Sequence, residues 1–496
     1  MKKKILFWID GDITTFAIPN YLSEKMDVQA FAIIDITNKS KKFFQEQKFI
    51  KFEKIWFYHD FFNFNDYNID HDYLQKFEDK YKINLWELAV NERTFHRFNR
   101  FYSFKEFEIL KILETECKKF EEIISEIEPD FYVCLDPNFH YNELLYKLLI
   151  HNGIKTLIIN QPNFKKTIIS KTPRKLDNSD LKSVDSLDRT FEELQTELKK
   201  YNIFDHNIKT REYFKTSKTD LLKSAFYYIF NYDNSNLKTH YTYFGRTKLK
   251  VILDNIKNQF SRWKRENYIN KNLKRDLDLT KNFIYFTLSV DEERNILLSA
   301  PFYTNQIEVI RSIGKSVPPG YTIYVKENPT QSIRYWRPID EYREIQSIPN
   351  VTLIHPSFPH EKLNKNCSLS ISISGSAGFE ALFYGTSSII FSDLGYNVLS
   401  SVTKIDSMIE LPNCIRNALK KKNSPSELDK YLILLNNESI NFDMSQIQMN
   451  YHKLFFYSGW MIDVEIPQEK MKFFLEQNKP LFVELIDKLH EKIVTL

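Results

Sequence analysis

Short, unbroken apolar runs alternate with longer amphipathic stretches along most of the chain. In the first part of the sequence the runs have the length of strands, and the stretches between them have the spacing of helices. Buried strands that alternate with helices are typical of a doubly wound α/β domain with a mostly parallel sheet. We therefore predict strands at Lys4–Asp10, Val28–Asp35, Phe131–Asp136 and Ile154–Asn160, with helices over 14–25, 104–127 and within 137–153.

A second pattern of the same kind begins at FIYFTLSV (Phe283–Val290), after a long region with few strand signals. Residues 165–188 are polar and loop-like, and the region from there to 281 is predicted to be helical. Later strands are predicted at 320–329, 351–356, 368–375 and 387–393. The predicted organisation is an N-terminal α/β domain over 1–215, a basic helical segment over 216–281, a C-terminal α/β domain over 282–423, and C-terminal helices over 424–496 that pack back on the first domain.

Composition agrees with this picture and excludes several classes of protein. A chain of 496 residues is too long for one ordinary core, and its 42% hydrophobic and 27% charged residues are a globular balance. The net charge of +4, from 69 Lys and Arg against 65 Asp and Glu, is too small to indicate nucleic acid as a partner. Four widely separated cysteines without a CxxC pair argue against a disulfide framework or a zinc site.

The location of the protein is predicted from its apolar runs. The start, MKKKILFWID, is basic, but its apolar run is short, so we predict a buried strand there rather than a signal peptide. No apolar run approaches the roughly 18 residues that span a bilayer. We expect a cytoplasmic protein with at most a peripheral contact at the inner face of the cell membrane.

A basic stretch at 246–275 is the one segment with a strong charge bias. It carries ten Lys and Arg against two Asp and Glu, with Phe260, Trp263 and Tyr268 among them. Such a stretch is most often a solvated helix face. The functional alternative is a peripheral contact with anionic lipid or with an acidic glycan acceptor.

Glycines are rare in this chain but gather at one predicted strand-to-helix junction, SISISGSAGFEALFYG. Of ten glycines in the sequence, Gly375, Gly378 and Gly385 lie here. A glycine turn at the carboxyl end of a strand lets backbone amides approach a ligand, and the amides that open a helix suit phosphate. Glu380, in the first turn, would accept hydrogen bonds from ribose hydroxyls. The alternative is a tight turn capped by Ser374 or Ser376.

Two further strand ends carry polar residues. KENP places Lys326 at the end of one predicted strand, and His355 ends the next. If these strands are parallel neighbours of the strand before the glycine turn, all three ends face one crevice. A cation and an imidazole beside a phosphate site would neutralise a leaving nucleotide. For His355 alone, a capped loop histidine is the alternative.

Carboxylates at strand ends of the first domain are the candidates for a general base. Asp10 and Asp12 follow the first strand, and Asp136 with His140 follows a later one. A base that takes a proton from an acceptor hydroxyl is usually a carboxylate or a histidine. The alternative in each case is a turn with a capping carboxylate, and the sequence does not choose between them.

Three consecutive segments, VPPGYTIYVKENP, IPNVTLIHPS and SISGSAGFEALFYGTSSIIFSD, resemble the capsular polysaccharide biosynthesis glycosyltransferase family. The resemblance covers about 283–400 and is weaker for ILFWID and for 129–160. It implies a GT-B fold, in which two Rossmann-like domains face each other across a cleft. It further implies a nucleotide-sugar donor held by the C-terminal domain as co-substrate, a glycan or lipid-linked glycan acceptor, and no metal or other cofactor.

The resemblance also implies a donor site, and this chain departs from the family at three places in it. Asn328 replaces the histidine of the family's KEHP, SVDEE replaces its QPE so that Glu292 or Glu293 is the only match, and Thr386-Ser387 replaces Lys-Pro after Gly385. The implied donor-binding residues are Ser289, Glu292, Lys326, Asn328, His355, Ser374, Gly375, Ser376, Ala377, Gly378 and Glu380.

The expected function is therefore transfer of a sugar from a nucleotide-activated donor to a surface polysaccharide or glycolipid. Two alternatives stay open. One is a nucleotide-sugar 2-epimerase, which shares the two-domain scaffold and which a crowded set of carboxylates and histidines would favour. The other is a catalytically degenerate subunit of glycan assembly, which the departures at Asn328 and SVDEE would favour.

Overall fold

Two parallel sheets organise the protein. The computed structural model describes residues 2–11, 13–65, 68–95, 98–162, 166–200, 218–232, 234–456 and 463–496. The chain forms two compact units, one of Met1–Asp177, Ile203–Val251 and Glu438–Leu496, the other of Asn178–Asn202 and Ile252–Asn437. Each unit holds one six-stranded sheet surrounded by helices. The predicted α/β class with two Rossmann-like sheets is confirmed.

The strands are β1 Lys3–Ile9, β2 Val28–Ile34, β3 Lys54–Phe57, β4 Phe131–Leu135, β5 Lys155–Asn160, β6 Ile168–Ser170, β7 Phe283–Thr287, β8 Thr322–Lys326, β9 Val351–Ile354, β10 Leu369–Ser372, β11 Ser388–Ile390 and β12 Val402–Lys404.

The α-helices of the described residues are α1 Thr14–Lys25, α2 Asn38–Glu46, α3 His71–Tyr81, α4 Leu85–Val90, α5 Glu106–Ile127, α6 His140–His151, α7 Phe191–Lys200, α8 Lys218–Asn231, α9 Asn236–Thr239, α10 Lys248–Asn272, α11 Arg294–Leu297, α12 Gln306–Ser316, α13 Ile339–Gln346, α14 His360–Asn366, α15 Ala377–Leu382, α16 Leu411–Ala418, α17 Pro425–Glu438, α18 Met444–Phe455 and α19 Gln468–Thr495. None of them is both long enough and apolar enough to cross a bilayer.

The first sheet has the order β3-β2-β1-β4-β5-β6, and its strands are parallel except for β6. Its strands read as unbroken apolar runs because both faces are covered. On β1, Ile5, Phe7 and Ile9 face one core with α1, α18 and α19, while Leu6 and Trp8 face a second core with α3 to α6. The short antiparallel strand β6 lies in the stretch that the sequence predicts as a loop, so that prediction was wrong for three residues.

The second sheet has the order β12-β11-β10-β7-β8-β9 and is parallel throughout. Ile284 and Phe286 of β7 face one core, while Phe283 and Tyr285 face the other. The connections run outward from β7 in both directions, so the order of the strands reverses between β7 and β10. Open α/β sheets bind ligands at such a switch point, outside the carboxyl ends of the strands.

The compact units divide the chain differently from the predicted domains. Residues 178–202 and α17 belong to the second unit, whereas α18 and α19 belong to the first, where α19 packs on α1. Most of the long helix α10 belongs to the second unit. The predicted functional boundaries at 215, 281 and 423 stay a prediction.

The close packing of α15 on its sheet depends on Gly378. A Cβ atom at this position would lie 3.0 Å from the Tyr396 hydroxyl and 3.2 Å from Ser372 Oγ. Both neighbours are buried, with at most 1% of either side chain exposed. The glycine therefore lets the helix approach the strand, which is one of the roles of glycine in dinucleotide-binding turns.

We expect Gly378→Ala to lower the free energy of unfolding by about 1–2 kcal/mol, since overpacking exceeds the gain in helix propensity. Gly375→Ala is the matched control: a Cβ there meets Thr287 Oγ1 at an ordinary 3.6 Å, so we expect a change within about 0.5 kcal/mol. The measurement is denaturant unfolding of each variant. The cost of Gly378→Ala should shrink in a Tyr396→Phe background, and an unchanged cost there would contradict the steric explanation.

Candidate functional site

The glycine turn lies at the switch point of the second sheet. It joins the end of β10, at Ser372, to α15, and β10 lies directly beside β7. Gly375 does not have a positive φ, and a Cβ atom at this position would lie at ordinary distances from its neighbours. The fold itself therefore does not require glycine at 375, and close approach of a ligand to the backbone is a physical reason for it.

The strand ends that the sequence analysis grouped together are not all neighbours. Lys326 of β8 pairs with Thr287 of β7, and Thr287 pairs with Ser372 of β10. The condition that the strands be neighbours is therefore met for β8 and β9 but not for the glycine turn, because β7 lies between β10 and β8. His355, which follows β9, is one strand further out. Because neighbouring strands are about 4.8 Å apart, the backbone of Lys326 lies about 10 Å from that of Ser372, a distance that a long side chain can span.

Lys326 is a buried cation at this edge of the sheet. Only 5% of the residue is exposed, and its ammonium has no hydrogen bond or ion pair with any residue that the structure describes. Burial lowers the pKa of Lys326 to about 8, against the opposing charges of Glu327 and Glu380. A buried cation without a partner is costly. The positive charge of Lys326 is therefore unfavourable in the unliganded protein.

Glu380 is a buried carboxylate with several partners. Ser376 donates to Glu380 Oε1 at 2.7 Å, and His360 Nε2 and Asn364 Nδ2 lie 3.1 and 3.4 Å from Glu380 Oε2. Burial by itself raises the pKa of Glu380, but the bond and charge of His360, the Ser376 bond and the charge of Lys326 outweigh it and hold the pKa below its usual value. The carboxylate is thus ionised and lies in the field of Lys326.

His355 is held by hydrogen bonds on both sides of its ring. Nδ1 lies 2.6 Å from the Ser357 hydroxyl, and Nε2 lies 2.9 Å from Arg275 Nη2 and 3.1 Å from Asn270 Oδ1. Burial, with the positive charges of Arg275 and Lys326, lowers the pKa of His355 to about 4. The ring is therefore neutral at physiological pH and lies in the field of the positive charges of Arg275 and Lys326.

The remaining residues of the predicted donor site have mixed surroundings. The buried hydroxyl of Ser374 has no hydrogen-bond partner among the described residues, whereas Ala377 packs in an apolar cluster with Tyr285 and Tyr324. Glu292 lies 3.5 Å from Arg334. Asn328 caps a short helical turn, because its side chain accepts from the Thr330 amide at 2.9 Å. The position where the family has histidine is therefore used locally for capping.

A buried ionic network beside Lys326 was missed by the sequence analysis. Arg337 donates to Glu327 Oε2 at 2.9 Å and to the Ser289 carbonyl at 2.5 Å, and it also pairs with Asp291. Tyr342 donates to the same oxygen of Glu327 at 2.8 Å. The network ties the segment after β7 to the end of β8 and thereby fixes the backbone that carries Lys326. A charged residue directly after a buried strand, Glu327, was its only sequence signal.

The predicted bases lie at the corresponding edge of the first sheet. Asp10 and Asp136 follow β1 and β4, the two strands at which the order of this sheet reverses, and with Asp35 they line one small pocket. Asp136 is paired with Arg174 at 3.0 Å, and Asp10 lies near the Thr15 hydroxyl. Asp12 lies outside the described residues. The structure thus brings Asp10 and Asp136 together.

His140 does not suit the role of a base. The ring is fully buried, with Nδ1 3.0 Å from Glu92 and Nε2 3.0 Å from Glu116. Although burial favours the neutral ring, the charges and hydrogen bonds of Glu116 and Glu92 raise the pKa of His140 to about 10. An imidazole that is already protonated at neutral pH cannot accept the acceptor's proton, so we correct this expectation: His140 joins α6 to the core through two carboxylates.

Polar clustering in the first unit extends beyond His140. Asp35 lies 3.0 Å from His59 and accepts from the Tyr141 hydroxyl at 2.7 Å, and the His59 ring lies 3.9 Å from that of His240. Burial alone would raise the pKa of Asp35, but the hydrogen bond and charge of His59 hold it below its usual value. Across the residues that the structure describes, no group of three or more His, Cys, Asp or Glu is arranged to hold a metal ion.

Comparisons with known proteins give distant likenesses. No family model matches the sequence, and no curated protein matches it. Among solved structures, KpsC of Thermosulfurimonas dismutans, a beta Kdo 2,7 transferase, is similar at 12% identity over 63% of this chain and 79% of that one, with a TM-score of 0.29.

Two further structures are similar over more of the chain. A UDP-GlcNAc 2-epimerase of Methanocaldococcus jannaschii, in complex with UDP-GlcNAc and UDP, matches at 14% identity over 88% and 98% of the two chains, with a TM-score of 0.25. A glycotransferase of kitacinnamycin matches at 8% identity over 97% and 99%, with a TM-score of 0.22. Likenesses this distant carry no argument about function, which rests on the residues of this chain.

Replacing the buried cation should stabilise the unliganded protein. The pKa of Lys326 is about 8 in the folded chain, below the value of about 10.5 expected for an unfolded chain. Between these values the unfolded chain binds more protons, so the stability of the parent rises with pH across this window. We expect Lys326→Met to raise the free energy of unfolding at pH 7 by about 2–4 kcal/mol, and the gain to vanish above about pH 10.5.

Denaturant unfolding at several pH values measures this effect, with the exposed Lys315→Met as the control that should change little. A Lys326→Met chain that is less stable than the parent at pH 7 would mean that the ammonium is paired in the folded protein.

The His140 pairs predict the opposite pH dependence. The folded pKa of about 10 lies above the usual 6.5, so the stabilisation is complete below pH 6.5 and is lost as the pH rises through 10. We expect His140→Gln to cost about 3–5 kcal/mol at pH 6, because it removes the positive charge that lies between two buried carboxylates. Unfolding of His151→Gln, an exposed position on the same helix, is the control. A loss that stays constant up to high pH would contradict the assigned charge.

Proposed function

We propose that the protein is a glycosyltransferase that moves a sugar from a nucleotide-activated donor to a surface-polysaccharide or glycolipid acceptor. The observation that carries the proposal is the buried side chain of Lys326, whose ammonium has no partner among the described residues. It lies at the carboxyl edge of a parallel sheet, two strands from the glycine turn. Burial makes this charge unfavourable in the free protein and favourable once an anion binds.

The character of the surroundings favours phosphate as that anion. The Ser374 hydroxyl is buried without a partner in the described structure, and Gly375 leaves its backbone open to close approach. A compact cation, a free hydroxyl and an accessible backbone are the groups that hold phosphate oxygens. The phosphates of a nucleotide sugar present such oxygens next to the bond that breaks.

Lys326 would then stabilise the departure of the nucleotide. As the bond between the sugar and the phosphate lengthens, positive charge grows on the sugar and negative charge grows on the phosphate oxygens. A fixed cation in a buried site interacts more strongly with that growing charge than it would in water. We propose that this counter-charge takes the place of a divalent metal, and that the nucleotide sugar is the only small co-substrate.

Glu380 and His355 keep their predicted places in the donor site, and His360 is added to it. We propose that Glu380, with His360 on its second oxygen, accepts hydrogen bonds from the ribose, and that the neutral His355 lines the same site. Arg337 would position Lys326 through Glu327 without touching the donor. For the acceptor, we propose that one of Asp10, Asp12 and Asp136 takes the proton from the attacking hydroxyl.

A nucleotide-sugar 2-epimerase is the second candidate. The observation that favours it is the crowding of carboxylates and histidines in the first unit, where Asp35, His59 and His240 lie together. Epimerisation at carbon 2 must break and remake a bond to hydrogen. Incubation with a nucleotide sugar in heavy water therefore separates the two, since only an epimerase places deuterium on carbon 2 without an acceptor.

A degenerate assembly subunit has less support. The capping contact of Asn328 gives a structural use to the residue that departs from the family. Binding of a nucleotide sugar without turnover on any acceptor would favour this reading over catalysis.

The binding test is thermal unfolding with a panel of UDP, GDP, CDP and CMP sugars. A ligand at about 100 times its dissociation constant stabilises the folded chain by about 2.7 kcal/mol. Because Lys326 supplies the counter-charge, we expect Lys326→Met to weaken the best ligand at least about tenfold, as the loss of a charge-assisted contact does, while Lys315→Met binds as the parent does. No stabilisation by any compound, or equal binding by Lys326→Met, would overturn the donor site.

A further inference from the structure

The long helix α10 has two opposite faces, and in the part of the chain that the structure describes only one of them is packed. On the packed face, Arg265 donates to the carbonyls of Tyr335 and Trp336 at 3.1 and 2.7 Å, and Ile269 lies in the core of the second unit. At 3.6 residues per turn, these positions lie on the side of the helix opposite to 253, 256, 260 and 263. The helix is therefore anchored along one side and leaves the other side open.

The open side is apolar. Ile252, Leu253, Ile256, Phe260 and Trp263 are 36%, 55%, 63%, 56% and 60% exposed and form a ridge along the helix. The two aromatic rings stack, with centroids 6.0 Å apart. Large apolar side chains exposed singly are common, but a contiguous ridge of five marks a surface that is covered in use.

The flank of the ridge is basic. Lys257, Lys264 and Lys271 recur every seventh residue, and all three are exposed. Lys264 Nζ lies 4.5 Å from the centre of the Phe260 ring. An apolar ridge with Trp and Phe, beside a row of lysines, is the arrangement of helices that lie in the plane of a membrane surface. The lysines would meet anionic headgroups while the ridge enters the boundary of the acyl chains.

A second copy of the chain fits this ridge less well. With the exposed Leu249 included, the spacing of 249, 253, 256, 260 and 263 follows a coiled-coil seam for two heptads, whereas coiled coils sustain three or more. An antiparallel pair would place the lysine row against itself. A parallel pair would place it against Ile252, Gln259 and Glu266, with one acidic residue among them. An anionic surface neutralises the whole row.

We propose that the ridge and the lysine row of α10 dock the protein on an anionic lipid surface. This surface is independent of the Lys326 site, so either proposal stands if the other fails. The basic charge of the segment 246–275 does not by itself select a face of the helix. The structure selects one, because it places the opposite face against the second unit.

The test is flotation of the full-length protein with vesicles of phosphatidylcholine alone and with vesicles that also contain phosphatidylglycerol. We expect binding that needs phosphatidylglycerol and weakens in high salt. The double variants Phe260→Ser with Trp263→Ser, and Lys257→Glu with Lys264→Glu, should each reduce binding about tenfold or more. These side chains are exposed, so the variants should fold as the parent does.

Matched controls are available in the same unit. Phe302→Ser with Ile409→Ser removes side chains that are 82% and 89% exposed, and Lys315→Glu with Lys420→Glu reverses two exposed charges elsewhere; both should bind as the parent. No binding, equal binding to phosphatidylcholine alone, or ridge variants that bind as the parent would overturn the proposal. A dimer in light scattering that the ridge variant abolishes would also overturn it, in favour of a second copy.

Discussion

A guanidinium buried between two carboxylates joins the ends of two neighbouring strands in the second unit. Arg337 pairs with Asp291 after β7 and with Glu327 at the end of β8, and the Ser289 carbonyl accepts a further bond from it. Each of these charges would be very unfavourable alone in the core. Moving one of them would leave its partners buried without a counter-charge. The edge of the sheet is thereby held rigid at the position where Lys326 begins.

Lys326 and Arg337, eleven residues apart in the sequence, are two buried positive charges with different surroundings. Arg337 has carboxylates on its fork, and its pKa is raised because Glu327 and Asp291 outweigh burial. Lys326 forms no ion pair with a carboxylate of the described residues, and burial lowers its pKa to about 8 against the charges of Glu327 and Glu380. The first arrangement stabilises the fold, whereas the second is unfavourable in the unliganded protein. Such contrasts within one polar cluster are typical of sites built for a ligand.

The backbone before Arg337 carries a further sign of constraint. Tyr335 and Trp336 both have left-handed φ values, 64° and 60°, which residues with a Cβ rarely adopt. Their carbonyls accept from Arg265 on the packed face of α10. The helix with the open apolar ridge therefore also supports the turn that presents Arg337, and through it the edge with Lys326.

The α/β class, most of the strands and the junction at which the glycines gather follow from local patterns in the sequence. They do so because strands buried on both faces are unbroken apolar runs, and because glycine and charged residues at strand ends are local features. The strand order, which places β7 between the glycine turn and Lys326, is visible only in the folded chain. So are the roles of residues whose partners lie far away in the sequence. The need for glycine at 378 depends on Tyr396, and the charge of His140 depends on Glu92 and Glu116. Which face of α10 is exposed depends on the core against which the other face packs. Each of these contacts joins residues far apart in the chain, and no local pattern encodes them.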